Sequence, residues 1–168
     1  MVQARFEVGI VVGDDLMELD EAELASRPDH GRAALGELEA LEGALIIEVP
    51  GQPVIRVDDD LSAAVQHLCF ACAPALLSEQ PKSYVYRYTT TDGHVVMIPL
   101  GNLVRLVGEH IPTATAATHT LLPALFACGL RYLQLLDRIG GEHARWSTER
   151  LRPLADDARA SLRQHGLL

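Results

Sequence analysis

Lysine is nearly absent from this chain: Lys82 stands alone against thirteen arginines. The bias reads as the imprint of a GC-rich coding sequence, and a single lysine gives little support to Schiff-base chemistry. Long apolar runs are missing too. Spanning a bilayer takes roughly 20 residues, and the longest candidate, Leu121 to Leu136, is interrupted by Pro123, Gly129, Arg131 and Gln134. The first residues, Met1 to Glu7, lack the basic and then apolar regions of a signal peptide. Three cysteines, an odd number, do not make a secreted disulfide framework. The expected location is the cytoplasm. A length of 168 residues fits one domain.

Basic charge is scarce where acid is abundant. Residues 1–60 hold fifteen Asp and Glu against four Arg, a net of −11, while residues 61–168 hold eight acids against ten basic residues, a net of +2. The overall −9 disfavours nucleic acid and anionic membrane as partners, because phosphate binding needs clustered Lys and Arg. Asp14, Asp15, Glu18, Asp20, Glu21 and Glu23 fall within ten residues and form the densest acidic segment.

Catalytic motifs are also lacking. Gly9-x-x-x-Gly13 has no following Gly-Lys-Ser/Thr, and neither GxSxG nor Ser-x-x-Lys occurs. Cys69-Phe70-Ala71-Cys72 has redox spacing, but the pattern puts it more than two turns inside a helix, on the apolar face, where buried thiols are small hydrophobes. His67 lies roughly 140–160° around that helix from both cysteines, so the three do not converge on a metal. Asp14-Asp15 and Asp58-Asp59-Asp60 lack the Asp-x-Asp-x-Asp-Gly register of a Ca²⁺ loop. No metal or other cofactor is expected. His110 and His119 flank a Thr-rich loop and, with Asp14 or Asp15, supply the one acid–base alternative.

The pattern predicts an α+β fold. Arg5–Val12 reads as a strand, residues 16–42 as an irregular acidic stretch with a helix around Arg32–Leu41, and Ala44–Val49 with Pro53–Val57 as a hairpin around Pro50-Gly51-Gln52. One of the three aspartates at 58–60 should cap the helix Leu61–Leu77, which Pro74 kinks or ends early. Its core stripe is Leu61, Val65, Leu68, Cys69, Cys72 and Leu76. Ser83–Thr90, His94–Pro99 and Asn102–Val107 form a three-strand meander, with Tyr84, Tyr86 and Tyr88 on one face. A loop over Ile111–Thr120 leads to helices Leu121–Ile139, capped by Thr118 or Thr120, and Ser147–Gln164, with helices packed on one face of the sheet.

In size, charge and element order the chain resembles two kinds of small bacterial cytosolic protein. Immunity proteins, which neutralise toxins that are often basic nucleases, are commonly acidic α+β domains. Class I secretion chaperones are acidic α+β homodimers of similar size. The first resemblance implies a basic toxin or effector as partner, the second a homodimer binding an effector. The expected function is protein binding rather than catalysis, with the partner-binding residues Asp14, Asp15, Glu18, Asp20, Glu21, Glu23, Tyr84, Tyr86 and Tyr88. A small enzyme using Asp14/Asp15 with His110 or His119 is the alternative.

Overall fold

The β-branched run at the start of the chain forms a strand longer than its pattern predicts, because both of its flanks find partners. A computed structural model describes residues 1–12, 14–26 and 41–168. Strand β1 (Gln3–Val12) turns into β2 (Asp15–Asp20), which leads directly into a short helix, α1 (Glu21–Ser26). Over residues 16–26 this replaces the expected irregular stretch. The helix expected at Arg32–Leu41 lies, apart from Leu41, outside the described residues.

The Pro50-Gly51-Gln52 hairpin joins β3 (Glu42–Glu48) to β4 (Ile55–Asp60), with Gly51 at φ 75°. The first sheet is antiparallel in the order β2-β1-β3-β4. Asp60 caps the following helix by accepting from Ala63 N at 2.8 Å.

That helix, α2, runs in three parts: Leu61–Ala64 in α form, Val65–Ala71 in π form and Cys72–Leu76 in α form again. Pro74 does not end it. Proline has no N–H and its ring opposes the carbonyl four residues back, here Phe70. The wider turn just ahead of it, closing with Cys72 N–H on His67 O, takes up the change of register. All six residues of the predicted core stripe are buried.

The second sheet has four strands, not the expected three: β5 (Tyr84–Arg87), β6 (His94–Leu100), β7 (Leu103–Gly108) and β8 (Ala114–Ala117), antiparallel in that order. Strand β8 lies inside the expected loop and pairs with β7 from Leu103↔Ala117 to Leu106↔Ala114. Helix α3 (Thr118–Ile139) follows with no side-chain cap, Ala117 standing at its N-cap; Thr118 and Thr120 fall inside its first turn. Gly140, at φ 66°, ends it. Helix α4 (Glu142–Gln164) begins five residues before the expected Ser147, which is buried rather than a cap.

Helices α2, α3 and α4 pack together, and both sheets turn their apolar faces to this layer, so the buried side chains form one cluster. Strand β4 is bracketed by contacts to opposite edges of the second sheet. Before it, the Gln52 amide binds Thr115 in β8; near its end, Asp59 binds Thr89 and Thr90 after β5. No helix among the described residues is long and apolar enough to cross a membrane.

Candidate protein-binding face

The fold divides the six residues of the acidic segment into two groups. Asp20 is the N-cap of α1: its Oδ1 accepts from Ala22 N at 2.9 Å and Glu23 N at 2.8 Å, and the Glu23 carboxylate accepts from Asp20 N at 2.9 Å. That reciprocal pair is a capping box. Glu21 accepts from Phe6 N at 3.3 Å and from Arg131 Nε at 2.5 Å. It therefore completes the β1 edge just past the end of β2. Asp20, Glu21 and Glu23 are occupied by the fold. Asp14 and Asp15, exposed at the β1–β2 turn, and Glu18, on the outer face of β2, remain turned to solvent.

Residues beyond the segment join Glu18. Strand alternation puts Arg5 and Glu7 of β1, Glu42 and Glu48 of β3, and Arg56 and Asp58 of β4 on the same outer face. Arg56 is the hub: it donates to Glu7 Oε2 at 2.7 Å, to Asp58 Oδ1 at 2.8 Å and to Glu18. Arg5 bridges Glu7 and Glu48. Burial pushes the Glu7 carboxyl up, but the hydrogen bonds and charges of Arg5 and Arg56 outweigh it and hold the group below its ordinary value. Burial lowers Arg56, and its bonds to Glu7 and Asp58 more than restore it, so its pKa is raised. Between the two arginine stems Ile46 is only 3% exposed. The outcome is a face on which Glu18, Glu42, Glu48 and Asp58 outnumber two arginines, with a hollow of about 220 Å³ between Glu18, Glu42, Arg56 and Asp58. The i, i+2 spacing of Arg56 and Asp58 was the sequence signal for this face, overshadowed by the capping role expected of residues 58–60.

The tyrosine face points the other way, toward α2. Tyr86 is 1% exposed and belongs to the core, which corrects its assignment as a partner-binding residue. Tyr84 and Tyr88 are half-buried at its flanks. The Tyr86 hydroxyl donates to Asp59, which also accepts from Thr89 N at 2.7 Å, Thr89 Oγ1 at 2.8 Å, Thr90 N at 2.9 Å and Thr90 Oγ1 at 2.8 Å. Burial pushes Asp59 up, but these donors outweigh it and the carboxyl ends below its ordinary value. Burial, then Asp59, raises the Tyr86 hydroxyl. His67 stacks on the Tyr86 ring at 5.0 Å and shares a 2.6 Å hydrogen bond between its Nδ1 and Tyr84 OH. Burial pushes the Tyr84 pKa up to about 12.

Cys69, Cys72 and Cys128 are free and buried. Burial lifts the Cys69 thiol well above its ordinary value and Cys72 to about 12, and the Cys72 Sγ donates to Leu68 O at 3.2 Å. Among the described residues no three His, Cys, Asp or Glu side chains are grouped as metal ligands.

His119 and the aspartates Asp14 and Asp15 belong to opposite ends of β1. His119 lines a groove of about 700 Å³ with Val2, Phe6, Pro123 and Ala127, beside the start of the strand. From Phe6 to Val12, the last residue of the strand, the chain covers roughly 20 Å at about 3.3 Å per strand residue. His110 lies in the β7–β8 connection at φ 66°. No hydrogen bond or ion pair among the described residues joins either histidine to Asp14 or Asp15. In comparisons with known proteins, no family model matches the chain, and no curated protein or solved structure matches it significantly.

Proposed function

We propose that the protein is a protein-binding module of the immunity type, which takes a basic surface of a toxin or effector on the outer face of its first sheet. The observation that carries this reading is the convergence of Glu18, Glu42, Glu48 and Asp58 on one face around Arg56 and Arg5. Each carboxylate held by Arg56 keeps lone pairs for an incoming donor, since a carboxylate has about four acceptor sites. Fixing those side chains beforehand lowers the entropy lost on association. Charge complementarity then speeds encounter and rejects acidic partners. The test is a variant carrying E18Q, E42Q, E48Q and D58N, compared with wild type for binding to the partner captured from the native host. Loss of binding by the variant, and weakening of wild-type binding with salt, support the reading. A partner without basic character, or binding unchanged by the four substitutions, overturns it.

A second reading, a homodimer of the secretion-chaperone kind, is favoured by the outer face of the second sheet. There Val85, Leu100 and Leu103 are 48%, 40% and 38% exposed, beside Val96, Ile98 and Val107. An exposed apolar sheet face of this kind marks an interaction surface. Molar mass in solution for wild type and L103R separates the two readings: a dimer that L103R dissociates favours the second, and a wild-type monomer removes it.

A further inference from the structure

Charge is divided between the two sheets. The strands of the first carry nine Asp and Glu against Arg5 and Arg56. Those of the second carry no acid, with Arg87 and Arg105 as their arginines. Arg5 and Arg56 are held by carboxylates. Arg87 and Arg105 are exposed, and neither side chain makes a hydrogen bond or ion pair among the described residues. Glu109, just past β7, stands at the rim, 3.8 Å from His94.

Strand register sets these arginines among apolar side chains on the outer face of the second sheet. Val85, Val96 and Val107 form one row; Ile98, Arg105 and Thr115 form the next; Leu100, Leu103 and Ala117 form the third. Arg87 lies beside His94 beyond the valine row. Exposed apolar side chains with arginine among them have the composition of an interface. A contact of this face with itself about a two-fold axis would oppose cation to cation, whereas such contacts must be self-complementary. The outer face of the first sheet fails the same test through its surplus of carboxylates. Each face complements the other.

We propose that the outer face of the second sheet docks on the outer face of the first sheet of a second copy of this chain. This rests on the reading of the first-sheet face as one that takes basic protein surfaces, and it makes the protein a competitor for its own site. The hollow of about 220 Å³ lined by Gly9, Leu16, Glu18, Glu42, Arg56 and Asp58 receives an arginine of the other copy. Three carboxylates meet its guanidinium, and Leu16, 70% exposed, meets its aliphatic stem. Four strands about 4.8 Å apart, each spanning about six residues at 3.3 Å, present roughly 400 Å². That is about half the usual area per partner, so the contact is weak and gives way to a tighter basic partner.

Sedimentation of the purified full chain tests this, with no other protein present. Wild type should exceed monomer mass increasingly with concentration, and shift toward monomer at about 1 M NaCl, where the Debye length is about 3 Å. R87Q/R105Q alone, and E18Q/E42Q/E48Q/D58N alone, should each associate about tenfold or more weakly, because each loses one charged face. Mixed, the two variants should form a one-to-one complex, since each keeps the face the other lacks. Should the four-fold variant not fold, R87Q/R105Q decides alone, its substitutions lying at exposed positions without partners. A wild type that stays monomeric, association retained or tightened in R87Q/R105Q, or two folded variants that do not associate when mixed overturns the proposal. Loss of the basic partner by E18Q/E42Q/E48Q/D58N is read separately, so the acidic face can stand as a partner site while self-docking fails, and the reverse.

Discussion

The Gln52 side-chain amide lies along the open edge of the second sheet, accepting from Thr115 N at 2.8 Å and donating to Thr115 O at 2.6 Å. It is a one-residue substitute for a ninth strand. Edge strands with free N–H and C=O groups invite pairing with other chains, and here the hairpin of the first sheet blocks the edge of the second. Replacing Gln52 with Leu keeps most of the bulk and removes both bonds. The expected loss is about 1–2 kcal/mol of unfolding free energy, from two partly buried hydrogen bonds, with increased self-association at high concentration. Urea unfolding and light scattering check both; a variant as stable and as monodisperse as wild type would show that the amide is incidental.

Asp59 is the other tie between the sheets, and with Glu7 it contributes to the acid limit of stability. Its folded pKa lies below the ordinary 3.8, because the donors of Tyr86, Thr89 and Thr90 overcome the upward push of burial. The unfolded chain therefore binds the proton first as pH falls. The stability Asp59 contributes is fully present above about pH 4 and is lost below it. His67 acts in a different window. Burial and Arg150 hold its folded pKa below the ordinary 6.5, so stability declines as pH drops below about 6.5 and the unfolded chain takes up the proton. Unfolding free energies measured from pH 8 to pH 3 should show both limbs. D59A should cost about 3 kcal/mol near neutral pH, because it strands the buried Tyr86 hydroxyl and removes the part-buried bonds from Thr89 and Thr90, and should reduce the lower limb, which Glu7 shares, without changing the upper; H67F should flatten only the upper one.

Where the sequence pattern was strong, the fold followed it. The six-residue stripe on α2, the Pro50-Gly51-Gln52 turn and the Gly140-Gly141 stop all stand where periodicity and turn chemistry put them. Strand β2 was illegible because, apart from Leu19, its residues are exposed; it is a strand through pairing with β1 and not through its own alternation. Strand β8, Ala114–Ala117, lacks aliphatic β-branched residues and is likewise defined by its neighbour β7. The acidic segment was visible as charge. Its division into capping box, ion pair and free surface depends on Phe6, Arg56 and Arg131, which come from distant parts of the chain.

Gly129 marks the closest approach of α3 to α2. A Cβ there would meet Phe70 Cζ at 2.6 Å and Cys69 Cβ at 2.8 Å, in a fully packed interior. Alanine is the better helix former by about 1 kcal/mol, so propensity and packing make opposite predictions. Packing should prevail: Phe70 and Cys69 are both buried, and overpacking costs about 1–3 kcal/mol. G129A should therefore melt below wild type. A variant that melts higher would mean that the α2–α3 interface yields.

Arg56 holds three carboxylates at once, and its removal separates electrostatic from steric effects on the first sheet. In R56M the apolar stem that covers Ile46 stays, while Glu7, Glu18 and Asp58 lose their common cation. Glu7 is the critical one, with its side chain only 17% exposed. It keeps Arg5, so the expected destabilisation is about 1–2 kcal/mol, above the usual value of a surface pair and below that of a fully buried one. The residual repulsion among carboxylates should be screened by salt, since the Debye length falls to about 3 Å at 1 M. The stability deficit of R56M should therefore shrink between low salt and 1 M NaCl. With the deficit split this way, a salt-independent loss would assign Arg56 to packing over Ile46, and no loss would leave the carboxylates to arrange themselves without it.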